Sequence, residues 1–207
     1  MGSEIFLVVT LLVAGVATYW ILLKSSAGKI ARQYRLLAER FGLELTQAPA
    51  RMGGLVRPDP SLYGHYRGRE VSFSAPGKGL KDTRQIESLL KVELKDKTLG
   101  AELVTTGLLG GLRQGDRGRL APWKSGDEVF DKAVDARTNQ AATLAEVLTD
   151  ERRAWLAGTL RKSKATIHIG DGIIAYAKLG LIGDDATRRE FEAVVESLCD
   201  LAEAIEG

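Results

Sequence analysis

The sequence predicts an α+β fold: an N-terminal transmembrane helix followed by a mainly antiparallel sheet packed with helices. Three observations lead there. Residues 5–23 form one uncharged, almost wholly apolar run that Lys24 ends, about the ~20 residues a helix needs to cross hydrocarbon. Beyond it, short alternating segments broken by Arg-Gly and Asp-Gly pairs read as hairpins. Segments with apolar residues every three or four positions flank them, without the regular strand–helix–strand alternation that builds a parallel sheet.

Within the apolar run the polar residues are Thr10, Thr18, Tyr19 and Trp20. Threonine hydroxyls return to helix carbonyls at little cost, and Tyr19 and Trp20 stand where an aromatic belt meets headgroups. A buried core helix of this length would carry a polar stripe, and this run has none. A cleaved signal peptide needs a positive start and a shorter apolar stretch. Phe6 stands where N-myristoylation wants Ser or Thr. The first four residues carry no Lys or Arg, whereas Lys24, Lys29, Arg32, Arg35 and Arg40 follow the run. By the positive-inside rule the expectation is a single-pass protein of the inner membrane, residues 1–4 outside and the C-terminal domain cytoplasmic. The lone Cys199 excludes an intramolecular disulfide and fits a reducing compartment.

The organisation that follows is a short N-terminus (1–4), the span (5–23), a basic juxtamembrane helix (24–42), a linker (43–60) and a cytoplasmic α+β domain (61–207). The net charge of +2 hides its distribution. Residues 24–42 hold five Lys/Arg and one acid, residues 51–124 hold 14 and 8, and residues 125–207 hold 10 and 16. In the domain the two signs are expected to interleave across one folded surface. In 24–42 the excess suits anionic headgroups. A near-neutral soluble part without a recognition motif excludes nucleic acid as partner.

In chain order, Gly28 to Phe41 reads as a helix with Ile30, Tyr34, Leu37 and Phe41 on one stripe, expected to face the core, and Gly42 as its stop. Pro49, Gly53, Gly54, Pro58 and Pro60 mark a loop. Leu62 to Phe73 is a hairpin turning at Arg67-Gly68. Ile86 to Leu94 is a strand with Leu90, Val92 and Leu94 on one face. Leu103 to Leu112 reads as a short strand entering a glycine-rich loop, Trp123 to Asp127 as a turn, and Phe130 to Arg137 as a strand. Ala141 to Leu148 and Asp150 to Arg161 read as helices, the second capped by Asp150. Thr166 to Tyr176 is a hairpin whose Asp171-Gly172 suits a type I′ turn. A final helix, Asp185 to Glu206, repeats Phe191, Val195, Leu198, Ala202 and Ile205 at spacings of four and three, with Asp184 or Asp185 as its cap.

Chemistry is sparse. Gly126-Asp127-Glu128-Val129-Phe130-Asp131 is the most suggestive segment, and Asp127 and Asp131 are the candidate site carboxylates. They offer too few oxygens for a calcium loop. The favoured role is a turn or cap for Asp127, a core position for Phe130 and an ion-pair partner for Asp131. The stretch 107–118 adds Arg113 and Arg117, with Arg119 just beyond. It lacks the Gly-Lys-Ser/Thr ending of a phosphate loop. His65, His168 and Cys199 lie too far apart for zinc spacing, and no G-x-S-x-G marks a nucleophile. No cofactor is expected. Cys199 beside Leu198 reads as a small buried hydrophobe.

Taken together, Tyr66-Arg67-Gly68-Arg69, the G-D-x-x-F-D segment Gly126–Asp131 and the run from Leu148 through Trp155 to the Asp171-Gly172 hairpin and closing helix resemble a set of uncharacterised bacterial membrane-anchored proteins. The resemblance covers residues 62–206. It implies a bacterial origin and a non-enzymatic role, and it brings no catalytic residues. The expected function is a membrane-anchored binding or scaffold module whose partners are the bilayer and proteins of a membrane complex. The alternative is a membrane-tethered enzyme acting on a phosphorylated or lipid substrate. It requires Asp127 or Asp131 to converge with Arg113 and Arg117.

Overall fold

The computed structural model describes residues 2–49, 58–75, 86–106 and 120–207; within the first 25 residues, side chains are described at 8, 10–15 and 18. Helix α1 (Gly2–Phe41) leads into β1 (Glu44–Thr46). Two hairpin strands follow, β2 (Ser61–Tyr66) and β3 (Arg69–Ser74), then β4 (Glu87–Glu93), β5 (Ala101–Thr105) and β6 (Ala121–Trp123). A short helix α2 (Glu128–Ala133) runs into β7 (Val134–Thr138), succeeded by α3 (Ala141–Val147) and α4 (Asp150–Ser163). A second hairpin, β8 (Thr166–Gly170) and β9 (Ile173–Leu179), precedes α5 (Asp185–Glu206).

The nine strands form one sheet in the order β1-β2-β3-β4-β9-β8-β5-β7-β6, and every strand pairing is antiparallel. The α+β reading with a mainly antiparallel sheet is therefore what the chain adopts. Both hairpins turn through two residues of positive φ, Arg67 (51°) with Gly68 (74°) and Asp171 (53°) with Gly172 (77°), as a type I′ turn demands. Alternation then sends Leu62, Phe73, Leu90, Ile174, Tyr176, Ile167, Leu103 and Ala136 to one face, where they form a continuous core with α1, α4 and α5. Phe191 of α5 sits edge-on to Tyr176 at 5.3 Å, and its neighbours Val194, Val195, Leu198 and Cys199 are fully buried.

The transmembrane helix expected over 5–23 is a correction. Among the described residues no helix is long and apolar enough to cross a membrane. The backbone shows no boundary at Lys24: α1 is one helix from Gly2 to Phe41. The side chains described within the apolar run, Val8, Thr10 to Gly15 and Thr18, are exposed. Thr18 Oγ1 does donate to the Ala14 carbonyl at 2.8 Å. The second half of α1 docks on the domain. Tyr34, Leu37 and Phe41 are buried, and Phe41 meets Tyr66 edge-on at 4.9 Å.

Three local expectations change as well. Residues 130–137 are not one strand. Asp127 caps the helix α2, and the chain becomes extended only at Val134. The even-numbered apolar positions mimic a strand because Phe130 ends up on the same core side as Val134 and Ala136. Trp123 belongs to β6 rather than to a turn. The cap of α4 is Thr149, whose hydroxyl accepts from Arg152 N–H, while Asp150 occupies the first turn. That position still favours an acid through the helix dipole.

Candidate functional site: the groove between α2 and α4

The Gly126–Asp131 segment is built by its own polar chemistry. Gly126 takes φ 82°, which a Cβ would strain. Asp127 Oδ1 accepts from the N–H groups of Val129 (2.8 Å) and Phe130 (3.2 Å), satisfying two of the free donors at the start of α2. Asp131 folds back: its carboxylate accepts from Ser125 N–H and Ser125 Oγ, both at 3.0 Å, and from Gly126 N–H at 3.2 Å. Partial burial would raise the Asp131 carboxyl, but these donors and the Lys124 charge hold it below its usual range. Phe130 anchors the turn in the core, edge-on to Trp123 at 6.4 Å.

This closed turn fixes α2 against α4 and leaves Val129 standing out, 73% exposed. Between the helices and the end of β5 lies a groove of about 820 Å³, open to solvent. Its walls include Thr105, Val129, Phe130, Ala154, Ala157 and Gly158. Its polar rim holds Asp127, Lys132, Arg153 and Arg161. Arg153 donates to the Leu148 carbonyl and to Asp150, with its Nε 3.9 Å from Asp127. Lys132 pairs with Glu128 at 3.1 Å in full solvent, where such a pair is worth little. Arg161 is exposed and makes no hydrogen bond or ion pair among the described residues.

The structure thus brings Asp127 and Asp131 onto one short segment, each already engaged by backbone donors. Arg113, Arg117 and Arg119 lie outside the described residues, as does the glycine-rich stretch from 107. His65 and His168 occupy strands, on the sheet face opposite the helices, where register sets His65 across from Glu70 and His168 across from Glu102 and Ala175. Among the described residues no three His, Cys, Asp or Glu side chains gather as a metal site would require. Of the membrane-interface residues, Lys29, Arg32, Arg35 and Arg40 are exposed on α1; the side chains of Tyr19, Trp20 and Lys24 lie outside the described set.

Sequence reasoning placed Phe130 in the core and Asp127 at a cap, but it did not find the groove. Ala154, Ala157, Gly158 and Arg161 follow the i, i+3, i+4, i+7 pattern of one helix face, a signal present in the sequence. It went unread because small residues carry no apolar weight. The basic and acidic halves do interleave. Arg67 bonds Asp200 and Glu203 of α5 at 2.6 and 2.8 Å, Tyr66 Oη donates to Glu196, and Arg69 makes two bonds to Glu206. The Tyr66–Arg69 motif is a clamp on the last helix.

No family model matches the chain, and no curated protein is significantly similar to it. A solved structure shares the fold: the mycobacterial trehalose monomycolate transport factor A, with a TM-score of 0.58 and 11% identity over 84% of this chain and 95% of that one. At that identity the likeness concerns architecture alone. It spans the greater part of both chains.

Proposed function

We propose that this chain is a binding module of a membrane-associated protein complex, its domain on the cytoplasmic side of a bacterial inner membrane. The observation that carries the reading is the groove between α2 and α4, a recess lined in part by apolar side chains with Val129 exposed at its wall. Two features support the setting. Lys29, Arg32, Arg35 and Arg40 stay exposed on α1 while its apolar stripe is docked, so the helix offers its charge to an anionic surface. The solved structure of the same fold is a transport factor for trehalose monomycolate, which favours a place in a lipid-transport assembly over a soluble enzyme.

The test is tagged purification of the full chain from its membranes, with mass spectrometry of what accompanies it, repeated with Val129→Asp. A stoichiometric partner that Val129→Asp removes is the expected result. A protein that purifies alone, or a partner indifferent to Val129→Asp, defeats the reading.

A further inference from the structure

The docked half of α1 turns one side to the domain and keeps a basic strip on the other. Tyr34, Leu37 and Phe41 are buried against the core. Gln33 fixes the rotation of the helix: its amide donates to Asp185 Oδ1 at 3.1 Å, and its oxygen accepts from Arg188 Nε at 3.0 Å. Lys29, Arg32, Leu36 and Arg40 follow one another at spacings of three, four and four, so they line a single strip of the helix. The helical pitch sets this strip roughly 130° round the axis from the buried stripe. Its three cations are exposed, Arg35 flanks them, and Glu39 is the one acid beside them.

The charge on this strip is not neutralised within the fold. Lys29, Arg32, Arg35 and Arg40 make no hydrogen bond or ion pair among the described residues. The acids of α5 are committed elsewhere: Asp200 and Glu203 to Arg67, Glu206 to Arg69, Glu190 to Lys178 and Glu192 to Arg188. A second observation on the same helix bears on what the strip faces. α1 is unbroken from Gly2, and its first half exposes Val8, Leu11, Leu12 and Val13 at 54–64%. Leu11, Thr18, Lys29 and Arg40 are separated by 7, 11 and 11 residues, which continues one line along the helix. An acidic protein or a nucleic acid would match the cations alone. A bilayer surface matches both, with phosphates for the cations and an apolar layer beside them for the aliphatic side chains. The match asks for contact at that surface and not for a span.

We propose that the strip of Lys29, Arg32 and Arg40 on α1 is a docking face for anionic phospholipid headgroups, which carries the domain on the side of the helix away from the bilayer. This rests on the membrane setting of the reading above and gives that setting a ligand and the residues that hold it. Each cation brought to an anionic surface is worth about fivefold in affinity, so the strip as a whole sets a strong preference for anionic over neutral lipid.

The test is flotation of the full chain with protein-free vesicles of phosphatidylcholine alone or mixed with phosphatidylglycerol. The parent should bind the mixed vesicles at least about tenfold tighter at low salt, and the preference should shrink as salt is raised. The triple variant Lys29→Gln, Arg32→Gln, Arg40→Gln should lose the preference. A second triple variant, Lys95→Gln, Lys97→Gln, Lys162→Gln, removes the same charge from exposed positions off α1 and should keep it. All six positions are exposed, and circular dichroism checks that each chain is folded. Equal binding of the parent to both vesicles overturns the proposal, as does a folded α1 variant that keeps the preference. Equal loss in the two triple variants also overturns it, because net charge and not the strip would then be what the lipid reads. The vesicles carry no protein, so failure here leaves the Val129→Asp co-purification result standing, and failure there leaves this one standing.

Discussion

Replacing Glu206 by Gln should unfasten the end of α5 in a pH-dependent way. Glu206 accepts two bonds from the Arg69 guanidinium, at 2.8 and 2.7 Å, and one from Lys95 N–H at 2.7 Å. Arg69 is nearly buried, with 7% of its side chain exposed against 17% for Glu206. The Arg69 bonds, and after them the Lys95 contact, hold the Glu206 carboxyl down at about 2 from an ordinary 4.5. That interval corresponds to roughly 3 kcal/mol. Residual solvent screening and the bonds that Gln can still make bring the expected loss for Glu206→Gln to about 1–2 kcal/mol. Because the folded-state value is depressed, the stabilisation is full above the unfolded value near 4.5. It disappears as pH falls from there toward about 2. Urea unfolding of parent and variant, followed by tryptophan fluorescence at pH 7, 5, 4 and 3, should show a gap constant down to pH 5 and then closing. A gap that stays constant to pH 3, or no gap at pH 7, would refute the argument that a charged clamp fastens α5 to the β2–β3 hairpin.

Three further outcomes follow from the same structure. Gly158→Ala should stabilise the chain by about 0.5–1 kcal/mol in urea unfolding, because the helix-interior glycine faces open space and no contact opposes a methyl group. Asp127→Ala should cost about 1 kcal/mol through loss of the α2 cap, whereas Asp127→Asn, an equally good cap, should be close to neutral by the same measurement. Cys199 is fully buried, and that burial pushes its thiol up to about 11. Alkylation at pH 8 should therefore be slow in the native chain and fast in urea, and rapid native labelling would show that α5 is not packed as described.

The elements that were legible share a property: their cause lies within a few residues of their effect. Arg67-Gly68 and Asp171-Gly172 turn the chain through backbone angles those pairs tolerate. Asp184 caps α5 through Thr187 three residues on, and Leu90, Val92 and Leu94 follow from alternation alone. The site carboxylates were half legible. Asp127 was readable as a cap, but Asp131 as the latch on Ser125 was not, since Phe130 to Arg137 carries strand periodicity and hides a helix–strand junction.

The sequence by itself determined the α+β class, both hairpins, the closing helix and the mixing of charge along the chain, because turn angles, caps and periodicity are local physics. Only the tertiary structure decided that β4 pairs with β9 and β5 with β8, and that Arg69 meets an acid 137 residues away. It also decided that α1 runs through Lys24 without a break and that α2 and α4 leave a groove between them. Those outcomes depend on which apolar faces find one another when the whole core closes, and contacts between residues so distant in the chain leave no trace in local spacing.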